Sequence, residues 1–314
     1  MKTGIISYNN SENLGDYIQT IAVEQLLGRK VTHFDRETLH LDPEKEHKLL
    51  VNGWFMEQPE NWPPHPRFTP LFFSFHLNPT AKRHLLNPEG IAYFQKHQPI
   101  GCRDHYTRKK LQEHGIEAYF SACVTLGLSQ PQPKNQKDKR SPVMVLSALE
   151  RLESMGKALD ANSGGLWQGI KAMYNRFRFS NAQKRLNDFL NRIDAPIEYR
   201  SQILPPLSLT PTQRFEKAQE QLAAIAQARL VITSRIHSAL PAVAMGVPVL
   251  FLTDGLEHPN QSSRLEGLSQ FFTCIQSNQL TTIRWETLQN PQNPESYMAI
   301  MKQKVDQFLE TDKK

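Results

Sequence analysis

One stretch, ARLVITSRIHSALPAVAMGVPVLFL at residues 228–252, constrains the fold more than any other part of the chain. Residues 230–233 form a short apolar run of the kind that makes a strand buried on both faces. Residues 238–245 are small and apolar, suited to a helix packed closely on a sheet. Pro241 fits only within a first helical turn, which predicts a helix start near His237 or Ser238. Gly246 ends that helix, and residues 247–252 are a second buried strand. The product is a βαβ unit with Ser234, Arg235 and His237 at its first strand-to-helix junction. Ligands of open α/β sheets bind at the carboxyl ends of strands, where a helix N-terminus also favours anions.

The same alternation runs through the rest of the chain. Residues 1–7 read as a first strand, the polar loop NNSENLGD as its exit, and YIQTIAVEQLL as a helix with Ile18, Ile21, Ala22, Gln25 and Leu26 on one face. This is a nucleotide-fold opening without the GxGxxG fingerprint. Its loop lies at a strand's carboxyl edge, as the Arg235–His237 junction does. Residues 31–34, 48–52 and 71–76 are further strands, separated by a Trp- and Pro-dense loop at 53–70. Residues 99–104 deliver Arg103-Asp104 to a strand end, and a helix closed by Gly115 follows. In isolation that Arg-Asp reads as an ion pair with Asp104 as helix cap. The polar, charged segment 130–141 marks a domain boundary. Beyond it, residues 142–149 and 196–204 are strands, and 210–227 and 296–309 are helices.

Several function classes drop out on the way. GGLWQGIK at 164–171 resembles a phosphate loop, but its Lys is one position late and no Ser or Thr follows. The three cysteines, Cys102, Cys123 and Cys274, are scattered; they fit a reducing, cytoplasmic compartment better than a disulfide framework. His33, His40 and His47 read as surface or packing residues, and no Cys/His cluster has zinc spacing. No secretory leader and no apolar run near the ~18 residues of a membrane span is present. The formal charge of +6 makes anionic partners plausible. No nucleic-acid motif accompanies it, so nucleic acid is not the expected partner. Residues 167–193 look helical and basic, with Trp167, Tyr174, Phe177 and Phe179 interleaved. The plain reading is a solvated face with the aromatics turned to the core. The other is a patch for an anionic membrane surface or a phosphate-bearing acceptor.

Three stretches together resemble the polysaccharide pyruvyl transferase family: NNSENLGDYIQTIAVEQLL, GCRDHYTRKKLQEHGIEAYFSAC and VITSRIHSALPAVAMGVPVL, in that order between residues 9 and 250. The resemblance implies a GT-B-like α/β architecture, two Rossmann-like domains facing a cleft. The division is then 1–135, on the acceptor side, and 136–314, on the phosphoenolpyruvate side, with the last helix packing back on the N-terminal domain. The loop after the last buried strand, TDGLEHPNQSSRLEGL, departs from the family's acidic-aromatic stretch with its Lys; Arg264 is the candidate for that basic position.

The implied reaction moves the pyruvyl group of phosphoenolpyruvate onto two hydroxyls of one sugar in a cell-surface or exopolysaccharide glycan. It forms a cyclic ketal and releases phosphate, with no metal or organic cofactor. A donor with two anionic ends needs fixed cationic forks, which arginine supplies. Arg235, Arg103 and Arg264, with Ser234, are therefore the candidate donor-binding residues. Asn13, Gly15 and Asp16 face the acceptor, a sugar or lipid-linked oligosaccharide. His237 is the candidate general acid or base, and Asp16 accepts the acceptor's proton or holds its hydroxyls. Two other readings stand beside this one: a GT-B glycosyltransferase using nucleotide sugars, and a non-catalytic glycan-binding descendant.

Overall fold

The computed structural model describes residues 1–54, 58–129, 141–157, 166–205 and 209–311. The first apolar run is β1 (Lys2–Ser7), and the polar loop after it enters α1 (Leu14–Leu27). Asn13 caps α1 by accepting the Gly15 N–H at 3.0 Å, and Gly28 ends it in the left-handed region. Then come β2 (Thr32–Asp35), β3 (His47–Trp54) and β4 (Phe68–His76). Two helices that the apolar periodicity does not announce, α2 (Lys82–Leu85) and α3 (Pro88–Lys96), lead to β5 (Ile100–Cys102). α4 (His105–Gln112) and β6 (Ala118–Phe120) complete this half. Its strands are all parallel, in the order β2-β1-β3-β4-β5-β6.

The second half repeats the plan. β7 (Val143–Leu146), α5 (Glu150–Lys157), a long α6 (Leu166–Leu190) and β8 (Ile197–Arg200) come first. α7 (Pro211–Gln227), β9 (Leu230–Thr233), α8 (Ile236–Ala244), β10 (Val249–Leu252), α9 (Pro259–Ser262) and β11 (Thr273–Ile275) follow. The strands are again parallel, ordered β11-β10-β9-β7-β8, and β7, β9 and β10 are buried along their whole length. In each sheet the order reverses next to its first strand, between β1 and β3 and between β7 and β9. Such a switch point opens a crevice at the strands' carboxyl ends. The architecture is therefore two Rossmann-like α/β halves facing a cleft, the GT-B arrangement. α10 (Glu295–Glu310) returns to the first half: Lys48 Nζ on β3 donates to the Phe308 carbonyl at 2.8 Å, and Tyr297 packs edge-on against Phe120.

One apolar core joins the halves. Ile18 and Ile21 of α1 pack with Leu222 and Ile225 of α7 and Leu240 and Val243 of α8. A polar stitch lies above it. Leu14 N–H donates to the Gln202 carbonyl at 2.9 Å, and Leu204 N–H to the Glu12 carbonyl at 2.8 Å. Gln202 Nε2 donates to Asn13 Oδ1 at 2.7 Å while its Oε1 accepts the Ser238 hydroxyl at 2.5 Å. α1 and α8 thus meet at their N-termini.

Three expectations change. α8 begins at Ile236, so Pro241 lies in its second turn and cannot donate to the His237 carbonyl. Gln25 is exposed rather than part of the packed face of α1, and its side chain accepts the Ser129 N–H. Asp104 caps α4 through Thr107 N–H at 2.8 Å and pairs with Arg103 Nε at 3.8 Å, as expected, and has a closer partner in His76 at 2.6 Å. Tyr174 and Phe177 are turned to solvent, not to the core. Of the expected boundary at 130–141, residues 130–140 lie outside the described residues, as do the glycines at 164–165.

A Cβ at Gly15 would sit 2.6 Å from Gln202 Nε2 and 2.8 Å from the His237 Cβ, whereas one at Gly169, on α6, would meet nothing. Gly15→Ala is expected to lower the unfolding free energy by about 1–3 kcal/mol in denaturant melts. Gly169→Ala is expected to raise it by about 0.5–1 kcal/mol.

Candidate active site

The two switch points face one cavity of about 70 Å³. From the first half, Asn13, Asp16 and Gln19 reach it from the segment after β1, and Arg103 from the end of β5. From the second half, Arg151 reaches it after β7, Gln202 after β8, and Ser234, Arg235 and His237 after β9. Gln261 and Arg264 enter after β10.

The turn from β7 into α5 is backbone under strain. Ser147 and Leu149 sit at φ 49° and 63°, a region that costs a non-glycine residue about 1–2 kcal/mol. Cross-links hold it there: Gln202 N–H donates to Ser147 Oγ at 2.7 Å, and Leu149 N–H to Ser234 Oγ at 3.3 Å. This turn presents Glu150, whose Oε1 accepts the hydroxyls of Ser147 at 2.6 Å and Ser201 at 2.8 Å. The other carboxylate oxygen binds Arg235 Nη2 at 3.0 Å, which fixes that guanidinium at the head of α8.

Arg103 is 1% exposed, and its Nε and Nη2 have no hydrogen-bond partner among the described residues. Burial, helped by the guanidiniums of Arg103, Arg151 and Arg235, pushes the pKa of Arg264 well down. Burial and Arg235 bring Arg151 down to about 10. Four guanidiniums therefore line one cavity, with Asp16, Glu150 and, 3.8 Å from Arg103 Nε, Asp104 as the nearby carboxylates. Clustered like charges depress one another's pKa, and an anion placed among them relieves the repulsion.

His237 is the second residue of α8 and 3% exposed, with Nε2 lacking a hydrogen-bond partner among the described residues. Burial, then Arg103 and Arg264, hold its pKa well below the usual histidine value, so the imidazole is neutral at pH 7. Across the cavity, burial raises the pKa of Asp16, opposed chiefly by Arg36. The Asp16 carboxylate accepts the Ser11 hydroxyl at 2.5 Å. The cavity thus pairs a proton-free base with a carboxyl whose proton affinity is enhanced. Among the described residues, no three His, Cys, Asp or Glu side chains converge as metal ligands would.

Asn13, Asp16, Arg103, Ser234, Arg235, His237 and Arg264 all line this cavity, and Gly15 lies behind it against His237. The Ser234 hydroxyl is committed to the framework, donating to the Leu252 carbonyl at 2.8 Å and accepting from Leu149. Sequence reasoning missed Arg151, Gln202, Gln19, Gln261 and the Glu150 that orients Arg235. Arg151 follows a strand recognisable at 142–149, and the strand-end rule applied there would have found it. Nothing local marks Gln202.

The polysaccharide pyruvyl transferase family model matches residues 13–254. No curated protein sequence matches the chain. Among solved structures, a functionally uncharacterized protein from Klebsiella pneumoniae superposes with TM-score 0.46 at 11% identity, over 87% of this chain and 92% of that one. UDP-N-acetylglucosamine 2-epimerase from Neisseria meningitidis, bound to UDP-GlcNAc, gives 0.40 at 11% identity, over 98% of this chain and 100% of that one. The corresponding enzyme from Methanocaldococcus jannaschii gives 0.37 at 12% identity, over 98% and 100%. The family match takes in the cavity's lining from Asn13 through Arg103 to His237, and the chain belongs to the polysaccharide pyruvyl transferase family.

Proposed function

We propose that this transferase moves the pyruvyl group of phosphoenolpyruvate onto two hydroxyls of one sugar in a cell-surface or exopolysaccharide glycan, forming a ketal and releasing phosphate. The observation that carries this reading is the crowding of Arg103, Arg151, Arg235 and Arg264 around one small cavity. A phosphate and a carboxylate on adjacent atoms would supply the charge that those guanidiniums call for, with planar forks matched to both groups. Ser234 then serves by holding the β9 end in place. Asn13 and Asp16 face the acceptor sugar, while Gly15, expected beside them, lies behind the cavity and leaves room for His237. The reaction occurs in the cytoplasm on this reading, to which three unpaired cysteines are suited.

Chemistry follows from the proton affinities. The first hydroxyl attacks C2 of the enol and gives its proton to His237 while C3 gains a proton from the Asp16 carboxyl, leaving a methyl group and a tetrahedral carbon that still bears phosphate. The second hydroxyl displaces that phosphate and loses its proton. Neutral His237 takes the hydroxyl proton, and Asp16 stands opposite as hydrogen-bond partner and second proton carrier. No step calls for a metal or an organic cofactor.

Phosphoenolpyruvate at 100 times its dissociation constant is expected to stabilise the wild type by about 2.7 kcal/mol in thermal melts. Arg264→Met is expected to abolish that shift while raising the melting temperature of the ligand-free protein, because it relieves the self-repelling cluster. A wild type unmoved by phosphoenolpyruvate but stabilised by UDP- or GDP-sugars would move the assignment to a glycosyltransferase. Binding of glycan alone would leave a non-catalytic descendant.

His237→Ala is expected to keep the donor shift and lose a factor of roughly 10²–10⁴ in phosphate release. In the free enzyme the histidine pKa is depressed, so the acid limb of kcat/KM lies below pH ~6.5. A bound dianion raises that pKa, so the acid limb of kcat lies at higher pH than that of kcat/KM. Coincident limbs would contradict the assignment.

A further inference from the structure

α6 has two apolar faces. Ala182, Leu186 and Phe189 are buried against the second sheet. On the opposite side Ile170, Met173, Tyr174 and Phe177 are 45%, 67%, 59% and 66% exposed. Their i, i+3, i+4, i+7 spacing makes one continuous stripe. Large apolar side chains gathered on one surface mark an interaction face, unlike the scattered ones that any protein shows.

Charge and position identify what the stripe meets. Lys171, Lys184 and Arg185 are exposed, and Asp188 is the only acidic residue of α6. Arg178, whose guanidinium lies over the Tyr174 ring, is ion-paired with Glu257 in the segment that follows β10. That pair places Arg178 at the carboxyl edge of the second sheet, the edge that carries the cavity. Toward the other end of the helix, Arg192 donates to the Leu280 carbonyl at 2.8 Å. At about 1.5 Å per residue, Ile170 stands roughly 12 Å beyond Arg178 along the axis. The stripe therefore projects past the sheet on the side of the cleft.

We infer that α6 docks the protein on an anionic lipid surface with the cleft mouth turned toward it. The stripe enters the boundary between headgroups and acyl chains, and the flanking cations meet lipid phosphates. A second copy of the chain is disfavoured as the occupant. A two-fold pairing sets a patch against itself, which would bring Lys171, Lys184 and Arg185 into a like-charged interface. The inference stands apart from what the cleft transfers.

The test is co-sedimentation of the full chain with vesicles of phosphatidylcholine alone, and with vesicles holding roughly a third phosphatidylglycerol. The wild type is expected to bind the anionic vesicles about tenfold or more tightly, and to be released by salt. The triple variant Met173→Ser, Tyr174→Ser, Phe177→Ser is expected to lose at least about tenfold in that binding at an unchanged melting temperature. Lys171→Glu, Lys184→Glu, Arg185→Glu is expected to remove the preference for anionic lipid and, away from the cavity, to leave donor-induced stabilisation unchanged. A wild type that stays in the supernatant at low salt would overturn the inference. So would a Ser triple variant that binds as the wild type does, or self-association through the stripe without vesicle binding.

Discussion

The site depends on a close approach of two helix N-termini. α1 and α8 each follow a strand at a switch point, and each would alone present a modest anion-attracting end. They come together because Gly15 has no side chain where the His237 Cβ arrives, and because Gln202 hydrogen-bonds to both helices. The apolar contact beneath, Ile18 and Ile21 against Leu240 and Val243, supplies adhesion without direction. Direction comes from the polar stitch, whose bonds must all be made at once or leave buried groups unsatisfied. A small shift between the halves would break the Asn13–Gln202–Ser238 chain before it much altered the buried apolar area.

Around that junction the fold accepts two unfavourable features. Backbone strain at Ser147 and Leu149 places Glu150 where it can hold Arg235, and burial, helped by neighbouring guanidiniums, lowers the proton affinity of Arg264 and Arg151. Neither contributes to folding stability. Both persist because the surrounding parallel strands, buried along their length, over-determine the positions of the turns that bear them. Local strain and a local excess of positive charge at strand carboxyl ends are what a preorganised anion site requires.

Much of this was legible in the sequence, for identifiable reasons. The βαβ unit around Arg235 could be read because each of its signals is local: apolar runs of strand length, a small-residue helix, and Gly246 to close it. The convergence of Arg103 with Arg235 is not local, and the order of three motifs pointed to it; Arg264 lies beyond them, in the loop that departs from the family's pattern, and was the candidate for its basic position. Gln202 was invisible because its importance arises only when two halves separated by most of the chain are packed together. Ser147 and Leu149 were invisible because neither residue type advertises a left-handed backbone. Tyr174 and Phe177 misled, since an aromatic residue on a helix belongs in the core unless another face already fills it. Here Ala182, Leu186 and Phe189 do.

The same charge excess ties donor binding to chemistry. Burial and neighbouring arginines hold His237 without a proton, and burial raises the proton affinity of Asp16, while Glu150 and Asp104 pair with Arg235 and Arg103. A donor bearing two anionic groups would offset the arginines' share of that depression, and the imidazole would gain basicity. On the proposed reading, His237 becomes an effective proton acceptor only when the group that needs attacking is in place. Water admitted without donor meets an imidazole of low proton affinity and no reactive carbon. On the proposed reading, the arginines thus do more than bind. They make the general base contingent on the substrate, and the interlocked helix ends ensure that acceptor and donor walls respond as one unit.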